Sequence, residues 1–378
     1  MDQIEFIEGI GFGNPIPERY FEFMPRSLGR SSIHLLFHSL LLGAACLFFF
    51  LLTGCTNQPI PVTPTATAIP PTETKIYVPK ETSIPPGSSD NPLVIAHILT
   101  SNPTVAQDSG QSMVDFIENE TGYSLVYEVY DDPKSAFEKL RKGEVDFIWL
   151  QPLTYLAAYQ RDLVSPLFVS NHFGLYKYGT QFLANKSSGF IQYFDTGTNR
   201  NTTTEEFALQ QFEGKRPCWT EPSSLSGTIT PFGLLARNGI QILPPAYTQS
   251  HSSSVRALYI KGICDFAAVF AYSGDPRTSS AVINDLPDAL EQIIIIWRSD
   301  PIIPSLSFHA STKLSPDIVE KVAAAMLKLS KSEDGNEILT QALDYDFQGM
   351  IPIDNDYFAL LSDLVRAANV VPYQHLGY

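Results

Sequence analysis

The sequence predicts an α/β fold built as two lobes, each a mixed, mostly parallel sheet flanked by helices. From residue 93 onward, short apolar runs alternate with stretches of helical period, the pattern of βαβ units. The chain has 378 residues, enough for two lobes of about 100–150 residues that stabilise their own cores. Two further apolar runs, 181–186 and 293–297, suit strands that cross between lobes joined by a hinge, with a ligand in the cleft.

Residues 93–98 read as a buried strand. Residues 107–119 read as a helix with Met113, Phe116 and Ile117 on one face, stopped by Thr121-Gly122. A strand follows over 125–130. Asp132-Pro133 then opens a short amphipathic helix marked by Ala136, Phe137 and Leu140 and ended by Gly143. Proline fits that first turn, where its missing N–H would have had no helical acceptor. Residues 145–150 form a strand and 154–160 a helix. The alternation resumes with a helix over 205–212 capped by Thr203 or Thr204, a strand over 216–220, helices over 226–237 and 252–261, and a strand over 266–269. Strands at 293–297 and 307–310 precede helices over 316–329, 334–342 and 357–368. The lobes then divide as 92–180 with 298–378, and 181–297.

What precedes residue 92 is of another kind. Arg26 and Arg30 lead an apolar run over 33–52 that meets Leu52-Thr53-Gly54-Cys55. A cationic start, an apolar run and a small-residue cleavage site make an export signal, and small residues stopping at a cysteine resemble the lipobox of bacterial lipoproteins. That resemblance implies cleavage before Cys55 and a lipid on its thiol, tying the chain to the outer face of the cell membrane. The alternative is an uncleaved span, since the run approaches the roughly 20 residues that cross a bilayer. Residues 1–23 carry Glu5, Glu8, Glu18 and Glu22, acidic where a signal has cations, so Met24 is the expected start and 24–54 the signal. Residues 55–91 are rich in Pro, Thr and Ser. Proline removes backbone donors, and such a stretch forms no core; it reads as an extended tether.

The balance of 25 Lys+Arg against 40 Asp+Glu, a formal charge of −15, argues against a nucleic-acid partner, because phosphate backbones are held by clustered cations. Four cysteines are too few for a disulfide framework. Cys218 and Cys264 stand open between a bridge and two buried thiols.

Four motifs in order resemble the phosphate/phosphite/phosphonate-binding (PhnD-like) proteins of ABC importers. The first is Lys142-Gly143-Glu144-Val145-Asp146 running through Trp149-Leu150-Gln151-Pro152 to Tyr155; the second is the Tyr178-bearing strand. The third is Glu213-Gly214-Lys215 with Glu221-Pro222-Ser223-Ser224-Leu225-Ser226-Gly227. The last is His251 with Val255, Ala257, Leu258, Gly262 and Asp265-Phe266-Ala267-Ala268-Val269. The resemblance covers residues 93–368. It implies a periplasmic-binding-protein type II clamshell, capture of a small oxyanion for a membrane permease, action as a monomer, and no cofactor. It also implies ligand contacts from Tyr155, Tyr178, Ser223, Ser224, Ser226, Gly227 and His251.

The serine-rich loop has its own physical logic. A helix start presents unsatisfied N–H groups and about half a positive charge. Hydroxyls beside it add donors without burying a cation. The bland reading of the same serines is N-capping. Tyr155 and Tyr178 read equally as half-buried core aromatics, and a lone histidine such as His251 as a structural or capping residue. Two departures from the family pattern matter. Leu225 stands where the family usually has Thr, and the apolar Phe270 stands where an acidic residue often faces a ligand amine.

No Gly-x-Ser-x-Gly elbow, P-loop or His-Glu-x-x-His occurs. Pairs such as Asp131-Asp132 and Glu205-Glu206 point apart and read as solvated faces. Import therefore leads; a receptor using the same clamshell to signal is the alternative, and an anchored enzyme on this scaffold lacks its catalytic groups.

Overall fold

The apolar runs pair into two separate sheets, and the chain passes between them more than once. The computed structural model describes residues 84–98 and 103–377. The expected extension, signal and lipidated Cys55, with the tether as far as residue 83, lie outside the described residues. Among the described residues no helix is long and apolar enough to cross a membrane.

The first sheet grows from β1 (Leu93–Ile98), α1 (Pro103–Thr121), β2 (Leu125–Tyr130), α2 (Pro133–Lys142), β3 (Phe147–Leu150) and α3 (Pro152–Tyr159). The three strands are parallel, with β1 between β2 and β3. Asp132 caps α2 by accepting from the Ser135 amide, Pro133 opens its first turn, and Gly143 closes it in the left-handed region. Beyond β3 come β13 (Ser307–Ser311), β4 (Val164–Ser170) and β14 (Met350–Pro352), giving the order β14-β4-β13-β3-β1-β2. These last three pair antiparallel. The sequence reading placed no strand at β4 or β14. Pro166 within β4 hides the alternation; it faces His309, where the register slips by a residue, a place where a strand tolerates proline.

The second sheet has the order β11-β5-β10-β8-β9. It combines β5 (Lys177–Asn185), β8 (Pro217–Trp219), β9 (Ala246–Tyr247), β10 (Phe266–Ala271) and β11 (Ile293–Arg298), and β12 (Ile303–Pro304) adds to β5. Strands β8, β9 and β10 are parallel, whereas β5 runs antiparallel to both β10 and β11. Parallel pairing thus belongs to the βαβ units. Antiparallel pairing enters where a strand arrives from the other sheet. A small ribbon, β6 (Phe194–Asp195) with β7 (Arg200–Asn201), and helix α4 (Glu205–Leu209) precede β8. Helix α5 (Thr230–Arg237), α6 (His251–Ile260), α7 (Ser280–Ile283) and α8 (Ala289–Gln292) complete this half.

Helices α9 (Pro316–Leu329) and α10 (Gly335–Leu343) return to the first half and pack on α1. Met113, Ile117, Trp149, Phe308, Val322 and Met326 form the core there, each fully buried. Such side chains contribute about 1.5–3 kcal/mol apiece.

Two lobe boundaries differ from the sequence reading. The Gly87 amide donates to the Asn91 carbonyl, and the Ser124 amide donates to the Gly87 carbonyl, so contact with the first lobe begins before residue 91. At the other end, α11 (Ala359–Ala367), assigned above to the first lobe, packs on α5 of the second. The two helices touch where Gly233 meets Leu364: a Cβ on Gly233 would lie 2.3 Å from the Leu364 carbonyl oxygen. Then α12 (Pro372–His375) turns back onto α3, with Arg161 stacked over Tyr373. The tail is a third link between the lobes. It was not legible because its helical period gives one apolar face without saying which lobe receives it.

Cys218 and Cys264 are bridged, closing 46 residues between β8 and the approach to β10. Replacing both by serine is expected to lower unfolding stability by about 2–4 kcal/mol, the range for a loop of this size; denaturant titration of the oxidised protein against the variant measures it. Two buried histidines add a pH dependence. Burial depresses His97 to about 4 and His309 to about 3, while an unfolded histidine takes its proton near 6.5. Between those values the unfolded chain binds more protons, so stability falls as pH is lowered, and the slope eases once folded His97 protonates. Urea unfolding at pH 5 should give a free energy about 3–4 kcal/mol below that at pH 7; an unchanged value would contradict the neutral burial of both rings.

Candidate functional site

The ends of the two sheets enclose a cleft of about 320 Å³. From the first lobe and the crossing segments come Gln151, His172, Leu175, Tyr178, Ser305 and Tyr345. From the second come Thr220, Glu221, Ser224, Gln249, Ser250, His251, Ser252, Phe270, Ser273, Pro276 and Ser279. The size falls at the lower end of small-molecule sites.

The second-lobe wall is built by one strand end and two helix starts. Strand β8 ends at Trp219, and Thr220 follows it into the cleft. The chain then forms a five-residue π-turn, Leu225–Ile229, that runs on into α5. Ser224 caps this turn: its Oγ accepts from the Gly227 amide at 3.0 Å, and its carbonyl accepts from the Ile229 amide at 2.9 Å. The wider π ring is a common device at functional sites. Gly227 is required because the turn sits directly on Thr220; a Cβ there would be 2.1 Å from Thr220 Oγ1. The Thr220 hydroxyl is buried with no partner in the protein, a state that costs free energy unless something else satisfies it.

The second helix start is α6. Ser250 caps it by accepting from the Ser253 amide at 3.1 Å, and His251 is the first helical residue. Its ring meets the Phe270 ring edge to face, with centroids 4.8 Å apart. Gln249, just before, has φ of 72°, and the chain turns sharply to bring four consecutive polar residues, Gln249 to Ser252, to the cleft. Ser252 and Ser279 share a hydrogen bond of 2.9 Å between their hydroxyls.

Of the residues singled out from sequence, Tyr178, Ser224 and His251 line the cleft together. Ser226 is fully buried, and its carbonyl accepts from Thr180 Oγ1 at 2.7 Å; with Gly227 it supports the loop from behind. Ser223 is half-buried beside Ser224 and outside the lining. Tyr155 is also outside it. Its ring lies against His309 and Phe358, and its hydroxyl donates to Asn355 Oδ1 at 3.0 Å, the core role that sequence left open. The lining residues missed include Thr220, Gln151, Gln249, Ser250, Ser252, Ser273, Pro276 and Ser279, and the first-lobe group His172, Leu175, Ser305 and Tyr345. Thr220 adjoins the serine loop and was within reach of the same reasoning. The first-lobe group comes together with the serine loop only through the chain crossings.

Lining side chains include six serines, one threonine and two histidines, with Glu221 as the acidic member and neither lysine nor arginine among them. Leu175, Tyr178, Phe270 and Pro276 supply apolar surface. Such a cleft holds a small polar guest through neutral donors and leaves room for a short apolar substituent.

Comparison with known proteins agrees with this architecture. Residues 95–358 match the model of the ABC transporter phosphonate periplasmic substrate-binding protein family. The phosphate-import protein PhnD of Mycolicibacterium smegmatis is 24% identical over 310 residues, spanning 79% of this chain and 83% of that one. Two solved structures of XAC2383 from Xanthomonas citri share the fold. The form bound to chloride ion has a TM-score of 0.54 at 19% identity, covering 73% of this chain and 97% of that one. The form bound to ATP has a TM-score of 0.52 at 18% identity, covering 73% and 96%. A match over most of the folded chain, on a two-sheet architecture with a polar cleft, makes this protein a member of the phosphonate periplasmic substrate-binding family of ABC transporters.

Proposed function

We propose that the chain captures a small phosphonate-type oxyanion outside the cell and delivers it to an ABC permease, tethered to the membrane by a lipid on Cys55. One observation carries the ligand class: the unpartnered Thr220 hydroxyl and the Ser224 cap lie together at the start of a helix that opens onto the cleft. That helix end favours negative charge. Hydroxyl donors hold an anion without the desolvation cost of a buried cation. Phe270 and Leu175 give an apolar side to the same cleft, which suits a short alkyl substituent better than an ion with four equivalent oxygens.

The anchor is tested by Cys55→Ser. This precursor should lose membrane association and its lipid label, while recovery of the variant in the membrane fraction with unchanged labelling would remove the anchor. The ligand class is tested by calorimetry against methylphosphonate, phosphite, phosphate and 2-aminoethylphosphonate, with a rise in melting temperature for each binder. Methylphosphonate is expected to bind more tightly than 2-aminoethylphosphonate; the reverse ranking would assign Glu221 to a ligand amine. Thr220→Val or Ser224→Ala should each weaken methylphosphonate by about 1.5–3 kcal/mol, the scale of a hydrogen bond to a charged group. Tyr155→Phe, which removes only the bond to Asn355, should leave affinity unchanged.

A further inference from the structure

The cleft carries a second unsatisfied polar atom, on the wall facing the serine loop. His172 follows β4 and sits in a tight turn, where its amide and carbonyl bond those of Leu175 at 2.8 and 2.9 Å. Phe173, inside the turn, has φ of 49°, a conformation a bulky residue adopts only when its surroundings hold it there. The surroundings do hold it. The Gly174 amide donates to Gln348 Oε1, and Asn171 bonds both Gly349 and Gln348 through the backbone. The imidazole itself is fixed from two sides. It stacks on Tyr345 with centroids 4.1 Å apart, and its Nδ1 lies 2.8 Å from the Asp346 carbonyl oxygen.

That last contact decides the tautomer. A carbonyl only accepts, so Nδ1 carries the proton, and in the neutral ring Nε2 is left with a lone pair and no hydrogen. His172 lines the cleft, is 7% exposed, and Nε2 has no partner in the protein. Burial also lowers its pKa, which keeps the ring neutral. A buried bare acceptor is as costly to leave unsatisfied as a buried donor.

We propose that His172 Nε2 accepts a hydrogen bond from the captured ligand, so that the cleft selects an oxyanion that still carries an acidic proton, P–O–H, over one of the same shape that carries none. This rests on the oxyanion reading above and sharpens it. Thr220 and Ser224 on one wall serve the charged oxygens; His172 on the other reads the protonated one. The residue lies outside all four family-like motifs, in the turn at 172–175. A sulfonate has the tetrahedral shape and single negative charge of a monobasic phosphonate but no proton to donate. It would leave Nε2 unpaired against an oxygen lone pair, and such a mismatch discriminates more strongly than a missing methylene does.

The test is calorimetry of the full mature protein with methylphosphonate and methanesulfonate, at a pH where the phosphonate keeps one proton. The native protein should prefer the phosphonate by about tenfold to a hundredfold. His172→Phe keeps an aromatic ring against Tyr345 and removes the acceptor, and should bring the ratio of the two affinities close to one. His172→Gln, whose side-chain carbonyl accepts, should restore much of the preference. Native protein that binds both ligands equally, or a preference unchanged in His172→Phe, overturns the proposal while leaving oxyanion capture intact. Proton uptake on methylphosphonate binding that vanishes in His172→Phe also overturns it, since the ring would then be donating. Native protein that binds neither ligand, nor phosphate or phosphite, removes the oxyanion reading and the proposal with it.

Discussion

The close approach of Gly227 to Thr220 is the constraint from which the rest of the site follows. A helix start can be pressed against a strand end only where no side chain intervenes, and here a Cβ would fall inside the Thr220 hydroxyl. The first turn there is a π turn. The contact sets Ser224 at the cap and brings the Thr220 hydroxyl and the positive helix end to one spot on the cleft wall. The disulfide from Cys218, two residues before Thr220, fixes β8 from the other side. The donor surface is therefore preorganised by backbone packing and a covalent link.

Opposite this wall the chain uses a different device. The turn at 172–175 lies between β4 of one sheet and β5 of the other, so the crossing segment itself becomes part of the cleft. Placing His172 there couples its position to the relation between the lobes. The tail adds a further tie, from α11 on the second lobe to α12 on the first. His375 in α12 interacts with the Pro222 carbonyl, inside the serine-rich loop. The two walls are thus linked through the C-terminal segment as well as through the paired crossing strands.

Much of this was legible in the sequence. Elements with a clear period, such as the helix marked by Ala136, Phe137 and Leu140 or the strand ending in Trp149-Leu150, lie close to where their patterns put them. The stretch from Glu221 to Gly227 reads as a serine-rich ligand loop, and Ser224 caps the turn that follows it. What escaped were features that need tertiary contact to exist. Strand β4 carries a proline tolerated by a slip in register. Tyr155 sits next to the motif's strand, yet its ring was claimed by Phe358 from the tail. His172 had no motif around it and gains meaning only when the Asp346 carbonyl accepts from its Nδ1–H.

The central claim is that an anion is held between the Thr220–Ser224 corner and the wall opposite. A crystal structure with methylphosphonate bound tests it most directly. The account predicts phosphonate oxygens within hydrogen-bond reach of Thr220 Oγ1 and Ser224 Oγ, with the methyl group toward Phe270. Phosphorus density elsewhere on the molecule, with Thr220 Oγ1 still lacking a partner, would contradict it.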